Sequence, residues 1–181
     1  MLRVKPFNEE VLYADNRVVE LDGQDIAELV RRADRNPRQR IRICSHPGVD
    51  DRLHEMLIVH AQGTYVRPHK HLGKSESFHV VEGSVDVILF DDDGNITKVI
   101  PMSDYRSGAK FYYRLSDPHY HTLLIRSKHL VFHETTNGPF NPADTVFAPW
   151  APDPKEDTAV KDFMDKIATA VEKFASLSTK S

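Results

Sequence analysis

Apolar residues first repeat with a helical period. In the stretch from Asp22 to Pro37, Ile26, Leu29, Val30 and Ala33 fall at the i, i+3, i+4, i+7 spacing of one helix face. Asp22 is placed to cap the start, and Asn36-Pro37 ends the pattern. From residue 40 the period changes to two. RIRIC, EMLIVHA, GTYVRPHKH, ESFHVVEG, SVDVILF, ITKVIPM, KFYYRL, HTLLIR and LVFHET are short runs rich in β-branched and aromatic residues. Turn signals separate them, among them Glu82-Gly83, Asp93-Gly94, Ser107-Gly108 and Ser127-Lys128. Many short strands at this spacing predict an antiparallel sandwich or barrel.

The stretch 137–154, NGPFNPADTVFAPWAPDP, carries five prolines and does not suit a regular central strand. It is expected to be an ordered strap anchored by Phe140, Phe147 and Trp150. Val160, Phe163, Met164, Ile167, Ala168, Val171 and Phe174 then mark one face of a C-terminal helix, with residues 176–181 expected to fray. No linker divides the chain. The expectation is one domain over 1–181: N-terminal helix and lead-in 1–39, β core 40–136, strap 137–154 and C-terminal helix 155–181.

Composition narrows the function classes. A length of 181 residues suits a single core. The formal net charge of −3 gives no global basic field for nucleic acid. The single cysteine, Cys44, rules out an intramolecular disulfide and a thiolate zinc cluster. No apolar run is long enough to span a bilayer, and the first residues lack the apolar core of a secretory signal, so a cytoplasmic location is expected.

Candidate chemistry lies in RPHKHLGKSESFHVVEG, residues 67–83. His69 and His71 share parity, so on a strand both point one way and Lys70 the other. Glu76, Phe78 and Val80 share a face on the next strand, while His79 points away. The short LGKS turn lets the two strands meet and brings two imidazoles and a carboxylate together. A carboxylate buried among apolar strands is costly unless paired. A divalent transition metal satisfies all three groups, and this donor set suits Mn, Fe, Co, Ni, Cu or Zn over Ca. RLSDPHYHTLLI supplies two further histidines. His121 abuts the apolar strand and shares parity with Leu123 and Ile125, which makes it the preferred third imidazole. His119 follows Pro118 in the turn, either as an acid/base at the cavity mouth or as a solvated residue.

The spacing of Gly63, His69, His71, Glu76 and Gly83 resembles the first cupin motif in full. The region of His121 departs from the second motif: the Pro-x-Gly before the histidine and the asparagine after it are missing. The order of segments from residue 20 to 154, ending in GPFNPADTVFAPWAP, resembles the WbuC-type cupin-fold metalloproteins, often encoded among bacterial O-antigen genes. That resemblance implies a mainly β fold, a cupin double-stranded β-helix or jelly-roll barrel with a short N-terminal helix, to which the C-terminal helix after residue 155 is an addition. It also implies one divalent metal (Zn, Fe, Mn or Ni) on His69, His71, Glu76 and His121. Cupins are commonly dimers, so a homodimer is compatible with it.

Parity places Tyr65 and Arg67 in step with the metal histidines. Arg67 is a candidate clamp for an anionic substrate, against a surface pairing with an acid such as Asp86. Glu134 is a candidate acid/base, or a partner to a ligand imidazole. His119, Glu134 and Tyr65 are thus the catalytic candidates. Three readings of function stay open: a metal-dependent enzyme on a carbohydrate-type substrate, isomerase-like and linked to polysaccharide metabolism; an Fe(II) dioxygenase; and a metal-dependent small-molecule binding module. In all three the partner is a small molecule, with neither nucleic acid nor membrane.

Overall fold

The computed structural model describes residues 3–178, with side chains as far as Ser176. The chain runs β1 (Val4–Pro6), β2 (Val11–Ala14), α1 (Gly23–Arg35), β3 (Arg40–Cys44), β4 (Leu53–Ala61), β5 (His69–His71), β6 (Glu76–Glu82), β7 (Ser84–Phe90) and β8 (Ile96–Ser103). It continues through β9 (Tyr112–Leu115), β10 (Tyr120–Ile125), β11 (His129–Asn137), β12 (Thr145–Phe147) and α2 (Asp157–Ser178). The strands form two sheets, ordered β1-β2-β3-β4-β11-β6-β9 and β12-β5-β10-β7-β8. Neighbours run antiparallel except β2 and β3, which are parallel. The fold is mainly β with two helices, as expected.

The two sheets face each other across a shared apolar core. Met56, Ile58, Phe78, Val80 and Phe132 come from the first sheet; Val85, Val87, Ile100, Leu123 and Ile125 come from the second. Each sheet has a helix on its outer face. On α1, Leu29 and Ala33 bury against Ile41, Ile43, Leu57 and Val59. Its start is fixed by Asp22, whose carboxylate accepts from the amides of Gln24 and Asp25, while Asp25 reaches back to the Asp22 amide. On α2, Ile167 and Val171 bury against Ile88, Phe90 and Tyr120 of the second sheet. Of residues 176–181, expected to fray, 176–178 complete α2 and 179–181 lie outside the described residues.

Three expectations need adjustment. The N-terminal residues contribute two strands, β1 and β2, where only lead-in was expected. GTYVRPHKH is a strand only over His69–His71; residues 64–68 have no regular structure. The strap is anchored chiefly by Trp150, which donates from Nε1 to the Asp92 carbonyl oxygen and packs on Phe90. Phe140 and Phe147 remain about half exposed. Within the strap, β12 adds to the edge of the second sheet by pairing with β5. An edge is where a strand this short and proline-flanked can be accommodated.

Gly83 closes the β6–β7 hairpin at φ +91°, and a Cβ there would collide with the His129 carbonyl oxygen. Only glycine meets both conditions.

Candidate metal centre

The site lies between the sheets at one end of the sandwich. Its histidines come from the second sheet and its carboxylate from the first. Cross-strand pairing sets His121 of β10 directly opposite His69 of β5, so their side chains share the inner face. His71 lies two residues on, with the same parity. Glu76 begins β6, and burial alternates along that strand: Glu76, Phe78 and Val80 are buried, His79 is exposed. Lys70 points to the outer side, where it pairs with Asp92 at 2.6 Å and sits over the Tyr120 ring.

One ligand nitrogen from each of His69, His71 and His121 lies within 4.8 Å of the others. Hydrogen bonds fix which nitrogen points inward. Nδ1 of His69 donates to the Arg67 carbonyl oxygen at 2.8 Å, and Nδ1 of His121 to the His119 carbonyl oxygen at 3.0 Å. A carbonyl can only accept, so in each neutral ring the proton is on Nδ1 and the Nε2 lone pair is free. Nδ1 of His71 is 3.1 Å from the Thr145 hydroxyl on β12. A side-chain or backbone oxygen behind each imidazole is the arrangement that orients metal ligands.

The Glu76 carboxylate completes the cluster from the opposite sheet. Its Oε1 lies 3.2 Å from His121 Nε2, and its Oε2 lies 3.6 Å from His71 Nε2. The Tyr113 hydroxyl donates to Oε1 at 3.0 Å. Burial pushes the His69 pKa down to about 3, with the neighbouring His121 and His71 charges adding, while Arg67's carbonyl opposes. Burial also lowers His71. Both are therefore neutral near pH 7, the form that binds metals. One proton shared with Glu76 satisfies at most one imidazole, whereas a divalent cation satisfies all four donors. The residues present fit a transition metal.

A cavity of about 400 Å³ opens from this cluster, a size suited to a small molecule. Beyond the histidines and Glu76, its wall includes Tyr113, Glu134, His60 and Arg42. Glu134 stands opposite Phe78, on the same inner face as Glu76. Enclosure by protein, with Glu76's charge adding, pushes its carboxyl pKa up strongly. Burial likewise raises the Tyr113 hydroxyl well above its ordinary range.

Three candidates lie outside the cavity of the histidine cluster. Tyr65 donates to the Pro152 carbonyl oxygen at 3.1 Å and packs edge-on to Phe163. Arg67 donates to the Ala151 carbonyl oxygen at 3.2 Å and pairs with Asp153 at 3.5 Å. Arg67 lines a cleft beneath the strap and α2, with its guanidinium over the Phe147 ring, and neither side chain lines the cavity of the histidine cluster. The parity count failed because the strand begins only at His69, and alternation does not extend through the irregular residues before it. Asp86, the alternative partner for Arg67, is taken by Arg126 at 2.7 Å. His119 is exposed and does not line the cavity; only its carbonyl serves the site, by holding His121.

Sequence reasoning missed Arg42, His60, Tyr113 and Thr145. RIRIC alternates, but alternation alone does not say which face is inward. Ile41 and Ile43 pack outward beneath α1, which turns Arg40, Arg42 and Cys44 toward the cavity side. Thr145 enters because the strap pairs it with His71.

A family described as a domain of unknown function (DUF6016) matches residues 21–102, from the approach to α1 through most of β8. That span holds His69, His71 and Glu76 but stops short of His121. No curated protein sequence matches the chain. Similar solved structures include a cupin-superfamily sugar phosphate isomerase from Silicibacter pomeroyi, at 18% identity and TM-score 0.39, covering 49% of this chain and 52% of that one. A cupin-superfamily protein from Desulfitobacterium hafniense has 11% identity and TM-score 0.43, covering 54% and 76%. The capsular polysaccharide assembling protein CapF from Staphylococcus aureus has 20% identity and TM-score 0.45, covering 54% and 27%. The chain therefore spans about half or less of the length of the isomerase and of CapF.

Proposed function

We propose that this protein is a metal-dependent cupin enzyme that binds one divalent transition metal on His69, His71 and His121, with Glu76 as fourth ligand. The observation that carries the reading is the convergence of three imidazoles within 4.8 Å of one another, two of them facing the Glu76 carboxylate, each held from behind by an oxygen. A metal there supplies a Lewis acid that polarises a carbonyl or hydroxyl oxygen of a substrate. The cavity beside it accommodates a small, oxygen-rich molecule of carbohydrate type. Glu134, held neutral by its enclosure, and Tyr113, held as a phenol, are the proton-carrying groups of that wall. Together they suit proton transfer between adjacent carbons or oxygens, the requirement of an isomerase. The resemblance to WbuC-type proteins agrees with a role in polysaccharide metabolism.

Elemental analysis of protein purified without chelator or metal-affinity resin tests the centre. The expected result is close to one transition metal per chain, lost in His69→Ala and His121→Ala and retained in His79→Ala. A folded wild-type protein that neither carries nor takes up metal refutes it. Turnover of candidate sugars with and without oxygen then separates the isomerase from a dioxygenase, and ligand affinity without turnover marks a binding module.

A further inference from the structure

Arg42 is anomalous among the arginines of this cavity. Arg40, two residues away on the same strand, is bonded to Glu10 at 2.7 Å, and Arg38 shares that acid at 3.2 Å. Arg42 has no carboxylate within ion-pair distance among the described residues, and its Nε is buried without a hydrogen-bond partner. The same holds for a ring nitrogen one strand away: Nδ1 of His60 is buried and unpartnered.

These two orphans are neighbours. In the β3–β4 ladder Arg42 stands opposite Ile58 and Arg40 opposite His60, so Arg42 and His60 are diagonal partners on one inner face. Both line the cavity that holds the histidine cluster, and Arg42 also forms part of the wall of a smaller adjoining cavity of about 180 Å³. Arg42 is half-buried and shares the cavity wall with Glu134, the one acid that feels its charge there, yet its Nε is enclosed without a partner, and a buried polar nitrogen left unpaired costs folding free energy. Ligand binding is the simplest function that offsets such a cost, and a planar fork of donors is matched by two oxygens of one anion.

The geometry points to an oxyanion subsite formed by Arg42 and His60, which holds a carboxylate or phosphate group of a small molecule whose other end reaches the histidine cluster. This rests on the reading of the cavity as the substrate site and adds the chemical class: an anionic, oxygen-rich compound, such as a sugar acid or sugar phosphate. Neutral His60 donates from one ring nitrogen while the Arg42 fork supplies the charge. Arg67, the arginine that parity favoured for this role, is already occupied beneath the strap.

Calorimetric titration of zinc-loaded protein with gluconate, glucose 6-phosphate and neutral glucose tests the subsite. At least one of the two anions is expected to bind tenfold or more tightly than glucose, and which one identifies carboxylate or phosphate. Arg42→Gln should lose at least tenfold of that affinity with zinc content unchanged. Arg42→Lys should recover part of it, and Arg106→Gln, a remote exposed control, should match wild type. The anion should raise the melting temperature of wild type more than that of Arg42→Gln. The inference is overturned if neither anion binds more tightly than glucose, or if both Arg42 variants bind within twofold of wild type. Arg42-dependent anion binding in a protein that takes up no zinc would support the subsite while refuting the metal centre. Normal zinc uptake with no Arg42 effect would do the reverse.

Discussion

At the scale of single residues, the oxygens behind the imidazoles decide how well the site is preorganised. Two of them are backbone carbonyls and cannot be mutated away, but Thr145 can. Thr145→Val keeps the shape of the side chain and removes the hydroxyl 3.1 Å from His71. Losing an orienting partner of this kind costs about 10- to 100-fold in metal affinity. Competition with a chelating dye should show that loss with the fold intact; unchanged affinity would mean that His71 needs no support from the strap. His60 makes a second prediction. Burial, with the charges of Arg40, Arg42 and Arg38, lowers its pKa to about 3. The unfolded chain takes up a proton near pH 6.5, and the folded chain resists until near pH 3. Stability contributed by neutral His60 is therefore full above pH 6.5 and falls as the pH drops through that window, by up to about 1.4 kcal/mol per unit. Urea titrations of metal-free protein should show wild type losing about 2 kcal/mol more than His60→Gln between pH 7.5 and pH 5. Equal losses would show that His60 is not held neutral.

At the scale of elements, the helices cover the sheets and the strap supports the site. Ile167 and Val171 of α2 are buried against the second sheet, opposite the face that carries the histidines. Ile167→Ala should lower stability by about 2–4 kcal/mol, the range for truncating a buried isoleucine, and leave metal content unchanged. Denaturant midpoints and elemental analysis on the same sample check this. A variant of full stability would mean that α2 is peripheral, and loss of metal would mean that the helix holds the site as well as the sheet. The opening residues work differently. Leu12 of β2 joins the cluster under α1, while Val11 belongs to the core between the sheets, so one short strand serves both layers.

At the scale of the molecule, the core between the sheets is apolar and independent of the histidines at its end. Phe78 stacks on Phe132 with ring centroids 4.1 Å apart, and Leu130, Val80, Val85 and Val87 are almost fully enclosed. Small zinc domains fold only with their metal. A sandwich of this size has enough apolar burial to fold without it. Chelated protein should still melt cooperatively, at a lower temperature than metal-loaded protein, because a ligand that binds only the folded state raises its stability. A chelated form with no cooperative transition would show that the metal is structural.

The sequence by itself determined the class of fold, the capped helix α1, most of the strands, and the shared face of His69 and His71 with Glu76 turned toward them. These rest on period, parity and turn chemistry, which act over a few residues and are written in the chain order. Only the tertiary structure decided which face of RIRIC is inward, because that depends on α1 covering Ile41 and Ile43 from outside. It decided that Arg67 and Tyr65 belong to the strap and Arg42 and His60 to the cavity, because regular alternation begins at His69 and cannot be counted back through residues 64–68. It also brought Thr145 to His71 and Tyr113 to Glu76, contacts between residues 74 and 37 positions apart. Pairings that distant depend on how the sheets assemble, and no local pattern encodes them.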